Sequence, residues 1–446
     1  MTNSSEKAAD DRTAGNLKRV PVPLAVLLVA ALLLRIAAVM ALGDDLRTDP
    51  DGYVGLAQSV AAGSGLSVPG SDRATAFRPP LLPLMIAVGI RIGLSGVAAV
   101  VLLNIAAGVI TVAATWMLGR TLQLNGRWIF AAAAVPVFDP LLLRYTAIPM
   151  TEVPSAALAT IAVWLFVRYQ QSHEMKDGAG SGVAFGLAAL CRPVLLVTGV
   201  LLAVIGATSR WRRWRITNGR FFRMILLSTV PAAAMAVTVA PWIVRNEVVF
   251  GKSIPATTHG GYTLLLGNNS VFFREVVDAP GQPVWSGQSL SEWQQDMNHQ
   301  MTNDGVAPGD EIAADRWMYA RAREEIHAQP GVFLKACLLR WKRFWGLSPA
   351  TGSHGVPIDL AVGTWYAVLW IGLLGSLIPR GVRQRTDCIW LLWTAILSFL
   401  LLHTFYWTDT RMRAPLTGVL AVLAIVGYQN WLRLSSRLRR TTELSS

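Results

Sequence analysis

Long apolar runs recur from Val20 to Tyr428, separated by polar stretches of unequal length. Runs of this length predict membrane-spanning helices. They lack the alternation of barrel strands, and only helices or closed barrels satisfy their backbone groups in lipid. The predicted spans lie at roughly 21–42, 95–118, 127–138, 153–167, 224–243, 358–378, 388–404 and 414–431. The stretch 181–208 reads as two short helices that meet at Arg192-Pro193. Residues 79–92 are apolar but short for a span, and read as a surface or re-entrant helix. The pattern therefore predicts an all-α polytopic membrane protein with about ten transmembrane helices.

Two polar interruptions stand out. The first loop, 43–94, contains Tyr53, Leu56, Ala57, Val60 and Ala61 at helical spacing, so one apolar face lies on the bilayer surface. Asp49 followed by Pro50 predicts its N-cap and first helical position, and Gly63 its stop. Gly63, Gly65, Pro69 and Gly70 make the next segment flexible. The second interruption is the long loop 244–357. In it, Pro308 to Pro330 reads as an amphipathic helix, and Val332 to Trp345, rich in Lys, Arg and Trp, as an interfacial one. No internal repeat and no separate soluble domain is evident. The resulting organisation is a cytoplasmic tail at 1–19, an N-terminal transmembrane module at 20–243, the long loop, and C-terminal helices with a second cytoplasmic tail at 358–446.

Charge changes the picture by giving the runs a direction. The chain of 446 residues is 53% apolar and 15% charged, with a net charge of +13 and a mean hydropathy of +0.42. Its basic residues cluster in short loops: Lys18 and Arg19, then Arg210 to Arg223, then Arg380 to Arg385, then Arg433 to Arg440. Placing these clusters on one side puts both termini in the cytoplasm and both polar loops on the opposite face of the membrane. No aromatic-interleaved basic face argues for nucleic acid. Cys191, Cys337 and Cys388 are scattered and odd in number, which argues against a disulfide framework or a zinc site.

Several residues are candidates for chemistry. Asp49 and Asp51 are carboxylates at the membrane surface, suited to activate a hydroxyl, or to cap a helix. Arg78, before Pro79-Pro80, suits a lipid phosphate, or snorkels to headgroups. Glu152 opens a span, where an acid is a functional candidate or favours a helix N-terminus. Arg192 at a bend in a span reads as an anion ligand. Arg245, Asn246, His259 and Asn268 lie in a glycine-punctuated stretch whose backbone can approach a ligand. Arg411 and Arg413 stand beside a span, as phosphate ligands or topology anchors. No Walker loop, HExxH, GxSxG or Rossmann fingerprint is present.

The pieces DPDGYVGLA, AFRPPLLPL, DPLLLRYTAIPMTE, GLAALCRPV, PWIVRNEVVFGK with GGYTLLLGNN, and TRMRAPL follow one another between spans. In that order the chain resembles the polytopic GT-C glycosyltransferases. Within them it is similar to glycosyltransferase family 39, which includes protein mannosyltransferases and the lipid A aminoarabinose transferase. The resemblance implies a GT-C bundle and a sugar donor linked to polyprenyl phosphate. It implies that Asp49 is the catalytic base, with Tyr53 in the same motif and Asp51 as fallback. It implies that Arg78 approaches the donor phosphate, that Glu152 is the second-loop acid, and that Arg192 and Arg413 lie near the lipid phosphate. Pro50 after Asp49 departs from the acidic pair of the protein mannosyltransferases, and Phe77-Arg78 departs from the Glu-Lys of other relatives. The expected reaction is inverting transfer to a hydroxyl of a lipid, glycan or protein acceptor, within the membrane and without nucleic acid. No cofactor is expected, and the loop acids leave a divalent metal open. The rival class is a lipid or lipid-linked-sugar transporter or flippase without transfer chemistry. A matching pair of broken helices, common in transporters, is not evident.

Overall fold

A computed structural model describes residues 20–217, 221–348, 355–378 and 383–445. The N-terminal tail at 1–19, Arg220 and Arg380 lie outside the described residues. The bundle is built from α1 (Val22–Leu42), α2 (Tyr53–Ala62), α3 (Leu81–Arg91), α4 (Gly96–Thr121), α5 (Gly126–Phe138), α6 (Pro140–Thr146), α7 (Glu152–Ser172), α8 (Met175–Cys191), α9 (Val194–Thr217) and α10 (Phe221–Phe250). The long loop contributes α11 (Gly260–Leu266), α12 (Gln288–Asn303), α13 (Glu311–Ala328) and α14 (Pro330–Phe344). The chain closes with α15 (Val356–Gly375), α16 (Arg383–Phe405) and α17 (Thr417–Ser445).

Among the described residues, seven helices are long and apolar enough to cross a membrane, eight if the bent pair α5–α6 counts as one span. The chain is thus a multi-pass, all-helical membrane protein. Helices α7 and α8 are not among the seven: α8 has 17 residues, short for a span, and α7 carries Glu152, Arg168, Gln170 and Gln171 at its ends. The two also bury polar groups, among them Glu152, Ser155, Thr160, Asp177 and Ser181. A helix shielded by protein on most sides does not need a lipid-facing surface.

Local sequence explains the breaks. Proline at 140 has no N–H to give the carbonyl of Pro136, and the chain bends by 44° between α5 and α6. Arg35 of α1, fully buried, supplies the missing donor: its guanidinium lies 2.9 Å from the Pro136 carbonyl. Gly108 makes room for it, because a Cβ there would stand 1.7 Å from Arg35 Nε. An arginine is costly inside a span unless it faces protein, and Arg35 does. At the second break, Arg192 is extended (φ −148, ψ 107), as a residue before proline tends to be. The helices on either side are longer than the short pair expected.

The first loop differs from expectation at its start. Helix α2 begins at Tyr53 with Gly52 in the left-handed region, not at Pro50. Gly63 ends it in the left-handed conformation, φ 96, as expected from its freedom there. The long loop has an apolar core of its own, with Leu265, Phe272, Phe273, Trp285, Trp293, Met297, Met318 and Leu339. Trp407, beyond α16, packs against it. Helix α14 falls where an interfacial helix was expected, but its Arg340 is interior. That guanidinium donates to the carbonyls of Thr404 (2.8 Å) and Gly267 and to Asn268 Oδ1 (2.7 Å). Burial pushes its pKa down to about 10.

Candidate active site

Two cavities meet where the first loop touches the long loop. The larger, about 930 Å³, is lined by residues from α2, the Phe77–Pro79 step, the start of α7, the Arg192 break, the long loop and the turn before α17. The smaller, about 770 Å³, lies between the first loop and residues 298–314. Asp51, Phe77 and Arg78 line both.

At this junction Arg78 makes a fork onto one residue. Its Nη2 is 2.9 Å from Asp51 Oδ1 and its Nε 3.0 Å from the Asp51 carbonyl. Its third nitrogen, Nη1, is 3.2 Å from His259 Nε2. Since an arginine nitrogen only donates, the histidine nitrogen accepts and its proton sits on Nδ1. Burial, with Arg78 beside it, pushes the His259 pKa down to about 3, so the ring is neutral. It is wedged between Phe77, edge-on at 4.3 Å, and Tyr262, stacked at 5.1 Å. Tyr53 is buried below the arginine, 5.8 Å from guanidinium carbon to ring centre. Burial pushes its phenol pKa upward.

Asp49 is placed differently. Its carboxylate accepts from the N–H groups of Val54 (3.1 Å) and Gly55 (3.0 Å), the free donors of the first turn of α2. Its own φ of 37 is uncommon for a residue with a side chain. Asp49 lines the smaller cavity, and Asp51 lines both.

The far wall of the larger cavity is cationic. Arg192 lies 3.1 Å from Glu152 Oε1 and 3.3 Å from Thr151 Oγ1, and its other nitrogen 2.8 Å from the sulfur of Met412. Arg411 pairs with Asp409 at 3.1 Å and directs Nη1 at the sulfur of Met150, 3.5 Å away. Thioether sulfur is a weak acceptor. Glu152 Oε2 and both ring nitrogens of His403 are buried on this wall and have no hydrogen-bond partner. Such groups carry unused hydrogen-bonding capacity.

Four expected site residues are elsewhere. Arg413 is buried under the Tyr366 ring, 3.9 Å away, and donates to the carbonyls of Phe344 (2.8 Å) and Gly346 (2.6 Å). Arg411 takes the cavity position instead. A tight turn spans Thr410–Leu416, and with three residues per turn, positions two apart point in widely different directions. Asn268 binds Arg340 and the carbonyls of Leu264 and Phe405, away from either cavity. Asn246 is fully buried and ties Arg245 to the Ile254 carbonyl. Arg245 itself grips the first loop, 3.0 Å from the carbonyls of both Leu66 and Thr75.

Sequence reasoning did not single out Tyr262, Gln294, Tyr319, His403 or Tyr406, which line the larger cavity. Tyr262 and Gln294 are joined at 2.6 Å, and Tyr319 and Tyr406 approach at 3.4 Å. His403 and Tyr406 stand at the end of an apolar run, where the polar step to Asp409 was the available signal. Among the described residues, no three His, Cys, Asp or Glu side chains gather as a metal site needs.

Residues 77–242 match the family model for dolichyl-phosphate-mannose-protein mannosyltransferases. No curated protein matches the sequence. Among solved structures, the oligosaccharyltransferase of Archaeoglobus fulgidus, in complex with zinc and sulfate, is similar at a TM-score of 0.50 and 15% identity. That match covers 92% of this chain and 51% of the other. The same enzyme tethered to an acceptor peptide containing the NVT sequon gives 0.50 and 14%, covering 91% and 49%. ArnT from Cupriavidus metallidurans, bound to undecaprenyl phosphate, gives 0.40 and 14%, covering 91% and 78%. The chain spans about half the length of the oligosaccharyltransferase structures it matches.

Proposed function

We propose that this chain, whose all-helical architecture is the GT-C glycosyltransferase fold, is a membrane glycosyltransferase. It moves a sugar from a polyprenyl-phosphate donor to an acceptor hydroxyl on the extracytoplasmic face of a bacterial inner membrane. The matched mannosyltransferase stretch covers the Arg78, Glu152 and Arg192 positions and supports this class. The observation that carries the reading is the convergence of Arg78, Arg192 and Arg411 on one cavity that also contains Asp51 and Glu152.

The chemistry follows from charge. The sugar–phosphate C–O bond breaks with both electrons going to the phosphate, whose charge rises from about one to about two negative units. Preorganised guanidiniums stabilise that developing charge most effectively in a site shielded from water. Arg192 and Arg411, whose contacts include thioether sulfurs, are suited to receive phosphate oxygens in exchange. The acceptor hydroxyl enters from the smaller cavity, loses its proton to a carboxylate, and attacks the anomeric carbon from the side opposite the phosphate, with inversion.

Asp51 is the base that this geometry favours. It faces both cavities, and Arg78 holds one oxygen, Oδ1. Asp49, the base implied by family spacing, holds the N-terminus of α2 and so orients the loop. Neutral His259 and Tyr262, with Tyr319, Tyr406 and Gln294, form a wall suited to an uncharged sugar face. Both termini lie in the cytoplasm in this reading. The first loop in the N-terminal module supplies the base, and the long loop covers the donor.

Reconstituted protein given a labelled polyprenyl-phosphate sugar and candidate acceptors should release free polyprenyl phosphate. Asp51→Asn should lower turnover at least 10²-fold, within the about 10²–10⁴ that a general base contributes, and keep donor binding. Asp49→Asn should lower it less. Normal turnover by Asp51→Asn removes it from the role, and donor movement across the bilayer without cleavage would favour a flippase.

A further inference from the structure

We propose that Glu311 is a positioning residue that clamps the segment before Arg78 and thereby sets the Arg78–Asp51 geometry. The inference rests on the transferase reading above and adds to it a coupling between the long loop and the reacting groups.

The segment from Leu66 to Arg78 has almost no regular structure. It contains one isolated bridge, Ser67 to Ala74, and three short-range backbone bonds, Val68 N–H to the Arg73 carbonyl (2.8 Å), Ser71 N–H to that of Val68 (3.0 Å) and Thr75 N–H to that of Leu66 (2.9 Å). These contacts end before Arg78, so its position has to be set by other parts of the chain.

The structure shows what sets it. Glu311 accepts with both oxygens, from Thr75 Oγ1 at 2.7 Å and from Ala76 N–H at 2.6 Å. The Ala76 carbonyl accepts from Thr258 N–H at 3.0 Å. The Thr75 carbonyl accepts from Arg245 at 3.0 Å. Phe77 N–H turns back onto Thr75 Oγ1 at 3.0 Å. The three residues before Arg78 are thus held from the long loop and from α10, and Arg78 then holds Asp51. Bonds to a carboxylate are among the stronger hydrogen bonds, and Glu311 makes two of them.

Glu311 is well placed for the task. It is the first residue of α13, whose N-cap Asp310 accepts from Ala313 N–H at 2.9 Å, so its backbone is fixed. A second contact reinforces the first. Gly309, at φ +88, lies under Arg73, and a Cβ there would stand 1.9 Å from Arg73 Nη1. With both oxygens occupied, Glu311 lines the smaller cavity without acting as its base. On sequence grounds it was one acid on the polar face of a helix, and only its reach across 235 residues to Ala76 distinguishes it.

Losing the clamp should leave the donor phosphate ligands Arg192 and Arg411 in place and let Arg78 and Asp51 drift. A misplacement of about 1 Å costs about 10²-fold in rate. Glu311→Ala, Glu311→Gln and Thr75→Val would be compared in reconstituted full-length protein. The expected result for Glu311→Ala is a kcat lower by about 10²-fold with donor KM within about twofold, and faster amide hydrogen exchange at Ala76 and Phe77. Glu311→Gln, which retains one acceptor oxygen, should fall between. The double variant with Thr75→Val should be no worse than Glu311→Ala alone. A wild-type kcat in Glu311→Ala, or unchanged exchange at Ala76, overturns the clamp. Should Glu311→Ala fail to fold, exchange and kcat in Glu311→Gln and Thr75→Val decide the matter. If the wild-type protein cleaves no polyprenyl-phosphate sugar at all, the transferase reading fails, and the exchange measurement still tests the clamp.

Discussion

Pairs of like residues two positions apart have different roles here. Asp49 and Asp51 are both carboxylates in one loop, yet Asp49 holds the backbone of α2 at the edge of the smaller cavity, and Asp51 faces both cavities. Arg411 and Arg413 are both arginines in one turn, yet one reaches the cavity and the other is buried under Tyr366 and Trp370. The second pair yields a test that separates the two roles. Arg411→Gln is expected to lower turnover by about 10²–10³-fold, the usual loss for one charge-stabilising donor, with little change in unfolding temperature. Arg413→Gln is expected to cost stability instead, about 1–3 kcal/mol, because the carbonyls of Phe344 and Gly346 lose their donor. Thermal unfolding in detergent and turnover, measured on both variants, check the division. The reverse pattern would return the phosphate role to Arg413.

At the scale of elements, close approach and broken hydrogen bonding shape the bundle. Helices α15 and α17 touch backbone to backbone: a Cβ on Gly427 would lie 1.7 Å from the Gly372 carbonyl oxygen. Small residues at such contacts let helices pack without a hydrophobic driving force between them. Gly427→Val should therefore push the pair apart, at a cost of about 1–3 kcal/mol or more, read as a lower unfolding temperature. Gly331→Ala, where the added methyl meets nothing within 4 Å, serves as the neutral control. The α5–α6 bend follows the other rule. The proline at 140 leaves the Pro136 carbonyl without its helical donor, and the buried Arg35 completes the hydrogen bonding that it interrupts.

At the scale of the molecule, the proposed chemistry depends on the orientation expected from the arginine-rich stretches. Cysteine labelling tests it in a Cys337→Ser background, in which the two remaining cysteines are buried. Ser71→Cys, in the first loop, should react with a membrane-impermeant maleimide applied from outside. Ser209→Cys, beside the cluster from Arg210 to Arg223, should react only after permeabilisation. Labelling of Ser71→Cys from the cytoplasmic side alone would put the cavities in the wrong compartment for a polyprenyl-linked donor used outside. Across the molecule, the polar contacts that join the two loops and the bundle include those of Arg78, Arg245, Glu311 and Arg340. Each links positions far apart in the chain.

Periodicity and length were enough to give the helical class, most of the spans and the break at Arg192, because lipid and proline act on a few neighbouring residues at a time. The first loop and the long loop were also evident as polar gaps in an apolar chain. Which side chain of a pair meets the larger cavity was not, since Asp49 against Asp51 and Arg411 against Arg413 differ only in direction. Nor could spacing show that Asn268 serves Arg340, or that Glu311 holds Ala76. Those assignments depend on contacts between residues tens to hundreds of positions apart, and no local pattern encodes a distant partner. The chain must fold before such groups can meet.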